Sequence, residues 1–188
     1  MNILKINIQK SLNSERLYYD KSLLENLWEN GLIIANLLFF LYITGTNFYD
    51  NIEKSKPFGW TLFLFILVII IILLGVTSFL NSKNLERIEG IAKSENSEIV
   101  KRIVNRNNWK LFEENKELNI VNISFLDTQT DYGKQVIILY RKNDILINCT
   151  SFAFGKTPNP FNWFSNKKIV EKFKTEFIEN KNALQHRI

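Results

Sequence analysis

Apolar positions along this chain form two long blocks and several shorter periodic runs. From Gly59 to Leu80 (GWTLFLFILVIIIILLGVTSFL) no residue is charged. At about 1.5 Å of rise per residue, such a helix covers the roughly 30 Å hydrocarbon core of a bilayer. A transmembrane helix is therefore predicted over 59–80. The block from Gly31 to Phe48 (GLIIANLLFFLYITGTNF) is shorter and is interrupted by Asn36, Thr44 and Thr46. A short link, residues 49–58 with Pro57 as a helix breaker, joins the two blocks. The pattern predicts an antiparallel two-helix transmembrane hairpin with spans over 31–48 and 59–80. Trp28, Phe48, Tyr49, Phe58 and Trp60 stand near the expected interfaces, where amphipathic rings are favoured. Because the apolar region begins near residue 31, behind a leader of mixed charge, a cleaved signal peptide is not expected.

The flanks follow other periods. Residues 1–30 read as an N-terminal cytoplasmic or interfacial segment. Ile6 and Ile8 suggest a short strand, and a helix from Ser14 carries Leu17, Tyr18, Leu24, Leu27 and Trp28. Residues 81–94 are polar, with Leu85, Ile88 and Ile91 at helical spacing. They predict a helical stalk in which Gly90 is the weak point. A cytoplasmic α+β domain is expected over 95–188. Asn96 or Ser97 would cap a helix whose apolar face is Ile99, Val100, Ile103 and Val104. Strands are expected at Trp109–Phe112, Leu118–Phe125, Gln135–Arg141 and Asp144–Phe154, with turns at Asp131–Lys134 and Lys142-Asn143. A last helix introduced by Ser165 repeats Ile169, Val170, Phe173, Phe177 and Ile178 at helical spacing. Helix, strands, helix in that order predicts an antiparallel sheet packed with helices.

Charge changes the picture on orientation. The formal charge of the chain is +5, and six bases balance six acids between Met1 and Asn81, so the excess lies after the spans. Arg16, Lys21, Lys83, Arg87 and Lys93 flank the hairpin ends, against Lys54 and Lys56 in the link. The positive-inside rule then puts both termini in the cytoplasm, in a multi-pass protein of the inner membrane. A basic domain at a membrane surface gains from anionic lipid, so the bilayer itself is an expected partner. Lysines alternate with acids instead of forming a stripe, which disfavours nucleic acid.

The loop Gly155–Phe164 (GKTPNPFNWF) concentrates the distinctive soluble residues. Phe161, Trp163 and Phe164, with Lys156, Lys167 and Lys168, form an aromatic and basic cluster. It would either close one end of the core or contact a partner or the bilayer interface. With the helix starting at Ser165, Lys167 and Lys168 fall in its first turn and oppose its dipole, a conflict that a bound anion would relieve. Asn36 is positioned for a polar contact between the spans or between protomers.

Catalytic chemistry finds little support. Cys149, the only cysteine, lies in an apolar run and reads as a buried thiol; His186, the only histidine, is near the C-terminus. Neither a cysteine-based zinc site nor an internal disulfide is possible. Glu113, Glu114, Glu117, Asp127 and Asp131 fall on expected turns and strand ends, where solvation is the default. The sequons at Asn122 and Asn148 would matter only in a secretory lumen. No catalytic residue, metal ligand or cofactor is expected. The plan resembles that of small bacterial proteins with a two-span hairpin and a cytoplasmic domain, a likeness of architecture that carries no residue motif.

The reading that follows is a non-enzymatic integral membrane protein whose cytoplasmic domain binds a protein partner, as an accessory, assembly or immunity-type component. The alternative is a membrane effector whose C-terminal domain senses a ligand or partner and whose hairpin forms homo-oligomers that perturb the bilayer. Gly31, Gly45 and Gly75 would give that hairpin its close-approach surfaces.

Overall fold

The structure, a computed structural model, describes residues 5–20, 22–54, 57, 59–124, 133–152 and 159–185, without the side chains of 23–30, 32, 33 and 160. The chain divides into two compact units. One joins Met1–Asp20 to Ser78–Ile188, and the other is Lys21–Thr77.

The first unit is α+β. Its sheet has five antiparallel strands in the order β1-β5-β4-β3-β2, with β1 at Glu86–Ile88, β2 at Lys110–Glu114, β3 at Leu118–Ile123, β4 at Lys134–Arg141 and β5 at Asp144–Ser151. Central strands β4 and β5 pair along their whole length, from Lys134↔Ser151 to Arg141↔Asp144. Both of their faces are buried, which is why they read as nearly continuous apolar runs (QVIILYR and ILINC) instead of alternating. Lys142, at φ 54, makes the tight connection between them.

Two helices cover one face. Helix α4 (Lys93–Arg106) presents Ile99, Val100, Ile103 and Val104. Helix α5 (Trp163–Gln185) presents Val170, Phe173 and Phe177. Both pack on Val121, Ile123, Val136, Ile138, Tyr140, Ile145 and Ile147. The period of 3.6 in the helices meets the period of 2 in the strands at this layer.

The opposite face carries Leu118, Ile120, Ile137, Leu139 and Leu146, and the N-terminal segment covers it. Short helix α1 (Ile8–Ser14) is capped by Asn7, whose side chain accepts from the Lys10 amide. Glu15 then turns the chain in the left-handed region, at φ 52. Residues 16–20 run back extended, bridging Ile6 to Tyr19 and Arg16 to Asn84. Ile6 and Leu17 are buried against the sheet. Polar bonds fix the segment in place. Arg141 Nη2 donates to Glu15 Oε1 at 2.7 Å, Leu17 N donates to Lys83 O at 2.7 Å, and Tyr19 Oη lies 3.3 Å from Thr150 Oγ1.

Two sequence-based expectations change here. Residues 81–94 do not form a stalk. Helix α3 (Gly59–Asn81) ends there and the chain enters the sheet as β1, with Leu85 and Ile88 buried on opposite faces. Their spacing of three fits a helix face, but on a strand it sends one side chain to each apolar layer. Residues 1–30 are not one interfacial segment either. The helix expected from Ser14 is replaced by a turn there, and residues 5–20 belong to the sheet unit. The helix expected to start at Asn96 or Ser97 begins at Lys93, because Asn96 is a buried bridge. Its Oδ1 accepts from Ile91 N at 2.9 Å and its Nδ2 donates to Asn143 O at 2.8 Å.

The second unit holds α2 (Leu23–Glu53) and α3 (Gly59–Asn81) up to Thr77. Phe48 and Phe65 stack between them with centroids 5.4 Å apart, beside Gly45. Hydroxyls within the apolar blocks bond their own helix: Thr44 donates to Phe40 O, Thr46 to Tyr42 O and Thr77 to Leu74 O. This satisfies polar groups where water would be absent. Among the described residues one helix, Gly59–Asn81, is long and apolar enough to cross a membrane. Helix α2 interrupts its apolar block with Asn36, Thr44 and Thr46 and carries Asp50 and Glu53 in its last turn; its side chains at 23–30, 32 and 33 lie outside the described residues.

Candidate functional site

The residues singled out in the loop before α5 do not form a single layer. A 3-10 turn at Pro160–Asn162 leads into α5, and the Phe161 amide donates to Asn159 Oδ1. Phe161 and Phe164 are 48% and 53% exposed. Trp163 is half-buried, edge-on to Phe164 at 4.8 Å, with Lys167 Nζ 5.6 Å from its ring centroid. Because α5 starts at Trp163 and not Ser165, Lys167 and Lys168 lie in its second turn, where the dipole conflict is smaller. Both are exposed. Lys156 lies outside the described residues, as do Asp127, Asp131 and His186. Asn36 is exposed on α2.

Behind Trp163 is a cleft of about 180 Å³, bounded by Asn81, Glu86, Asn166, Lys167 and Val170. Its geometry follows from the sheet edge. Glu86 pairs with Ile147 across β1 and β5, so its side chain joins the helix-covered face between strand and α5. Glu86 Oε2 is buried and has no hydrogen-bond partner. Opposite it, Asn166 Oδ1 accepts from Ser151 Oγ at 2.6 Å and from the Cys149 thiol at 3.9 Å. The Asn166 amide nitrogen is thus the group left to meet a ligand. The sequence reading passed over Glu86 and Asn166. Glu86 sat in a segment read as helix, because Leu85 and Ile88 on either side of it have helical spacing.

Two further features support this end of the fold. Lys134 is buried, and its Nζ donates to Ser165 Oγ at 2.6 Å, tying the start of β4 to the first turn of α5. Cys149 is buried, as its apolar setting predicted.

Glu114 pairs with Lys101 at 2.7 Å. Among the described residues no three His, Cys, Asp or Glu side chains form a group able to hold a metal ion.

Two tyrosines outside the apolar helices have raised pKa values. Burial pushes the Tyr19 phenol up to about 12 against its bond to Thr150. Burial likewise pushes Tyr140 up to about 12, although Ser97 and Asn119 hydrogen-bond to it. Raised folded values mean that both phenols favour the neutral form in the folded chain. Their contribution is complete below pH 10 and is lost as pH rises through 12. Urea midpoints followed by circular dichroism should therefore fall between these two values; a constant midpoint across that window would contradict the burial of both rings.

No protein-family model, no curated protein and no solved structure matches this chain.

Proposed function

We propose that this is a non-enzymatic integral membrane protein, anchored by a two-span hairpin, whose α+β unit binds a protein partner as an accessory, assembly or immunity-type component. One observation carries the membrane part. Residues 5–20 and 82–185, which flank the apolar helices, belong to one compact unit. Both flanks therefore lie on one side of any bilayer, and the intervening chain crosses an even number of times. If α3 crosses, the chain must cross again, and α2 is the segment available to do it. The apolar side chains of Leu38, Phe39, Phe40, Phe63, Ile70 and Leu73 are exposed, as lipid-facing residues would be. The excess of basic residues beside the hairpin ends supports a cytoplasmic location for the unit.

The binding surface we infer is the rim formed by Phe161 and Phe164 with Lys167 and Lys168. Exposed aromatics beside cations are the composition of protein interfaces.

Three measurements test these parts. The full-length protein should resist alkaline carbonate extraction from membranes. In intact cells a cysteine at exposed Lys54 should react with an impermeant maleimide, and one at exposed Lys172 should react only after lysis. Labelling in the reverse pattern would overturn the orientation, and extraction into the soluble fraction would overturn the anchor. A partner captured by full-length protein in mild detergent should be lost with Phe161→Ser plus Phe164→Ser. Undiminished capture would move the interface elsewhere.

A further inference from the structure

The cleft behind Trp163 shares Lys167 with the partner-binding rim and joins it to features the rim does not use. Glu86 Oε2 is a buried carboxylate oxygen without a donor. Buried polar atoms in folded proteins nearly always have a partner, so an orphan of this kind asks for one. A charge pointing inward from an edge strand discourages edge-to-edge pairing. That role requires no particular surroundings, whereas here Glu86 lines a cavity that Lys167, Asn166 and Trp163 also line. The cleft therefore offers an acceptor for a cationic donor and, across it, donors for an anion.

Its place in the chain narrows the ligand. Asn81, the last residue of α3, borders the cleft. The 23 residues of α3 span roughly 35 Å at about 1.5 Å each, slightly more than the roughly 30 Å hydrocarbon core. In a membrane-spanning α3, Asn81 comes to the headgroup layer. Tryptophan is favoured at that depth.

We propose that the cleft binds the headgroup of an ethanolamine phospholipid. Its ammonium donates to Glu86, and its phosphate accepts from Lys167 and the Asn166 amide. A primary ammonium has three N–H donors, whereas the trimethylated ammonium of a choline lipid has none, so Glu86 selects between them. A lipid with an anionic headgroup and no ammonium leaves the Glu86 oxygen unmatched. This assignment rests on the membrane reading above.

The test uses full-length protein in a lipid-free detergent. The probes are dihexanoyl phosphatidylethanolamine, dihexanoyl phosphatidylcholine and chain-free O-phosphoethanolamine, each followed by tryptophan fluorescence. The ethanolamine lipid should bind about tenfold or more tighter than the choline lipid, the size of effect given by a hydrogen bond to a charged group. Glu86→Gln should erase that preference without lowering the melting temperature. Lys167→Gln should weaken both lipids about threefold, since both carry phosphate and the lysine is exposed.

Equal affinity for the two lipids, as expected of a cleft satisfied by water, would overturn the proposal. So would an unchanged preference in Glu86→Gln, and loss of no affinity in Lys167→Gln would remove the phosphate from the cleft. Equally tight binding of O-phosphoethanolamine would overturn the lipid source in favour of a soluble aminophosphate. Failure of carbonate resistance would sink the membrane reading itself, whereas a membrane-resident protein that treats the lipids alike would sink only this inference.

Discussion

Deleting residues 1–20 should abolish the folded state of the α+β unit, although the deletion leaves all five strands and both covering helices intact. Leu118, Ile120, Ile137, Leu139 and Leu146 would lose their cover, and Ile6 and Leu17 would be gone. Burying a side chain of this kind contributes about 1.5–3 kcal/mol, so the loss is on the order of 10 kcal/mol. Domain stabilities are about 5–15 kcal/mol, which leaves little or nothing. The Arg141–Glu15 pair and the bonds from Leu17 N to Lys83 O and from Leu85 N to Glu15 O would go as well. Limited proteolysis of full-length and truncated protein in mild detergent should show a resistant fragment in the first and none in the second. Leu17→Asp should act in the same direction. A fragment spanning 95–188 should likewise fail to fold, because it lacks β1 as well as the N-terminal cover. Equal protease resistance of the truncated protein would show that the second face needs no lid.

Gly90→Ala should cost about 3 kcal/mol, at the upper end for overpacking a close contact. An added Cβ would lie 2.5 Å from the Asn96 amide atoms and closer still to the Asn143 carbonyl oxygen. The carbonyl is backbone in the β4–β5 turn and has little room to retreat. Asn96 is buried and holds Ile91 N, Ile91 O and Asn143 O, so displacing it breaks bonds whose partners are then left unpaired. The urea midpoint of the full-length protein in detergent should fall accordingly. Gly31→Ala is the matched control: nothing lies within 4 Å of its added Cβ, and alanine is the better helix former. A Gly90→Ala midpoint equal to that of the control would remove the close approach from the account.

The strands and helices of the C-terminal part were largely legible in the sequence because each repeats one period over many residues. The run QVIILYR and the helix face Ile169–Phe177 needed only local pattern. What was illegible depended on partners far along the chain. Leu17 and Leu85 each read as part of a helix, and nothing nearby says that they meet on the second face of a sheet. Asn96 looked like a cap because caps are the usual place for Asn before an apolar face, yet its role is to bridge a loop and a turn. The aromatic cluster was conspicuous through Phe161, Trp163 and Phe164. Glu86 was not, since an acid in a polar stretch is unremarkable until the strand register turns it inward.

The separation of Tyr19 from Thr150, its bonding partner on the sheet, is 131 residues. At the usual 5–20 residues per second of synthesis, roughly 10 s passes between the two leaving the ribosome. Both apolar helices emerge within that interval, so on the proposed membrane reading their insertion precedes assembly of the sheet. The first twenty residues must wait throughout, unpaired and open to proteases. Their mixed charges suit them to that wait. Their docking on the sheet can then close the unit only after both apolar helices have been made.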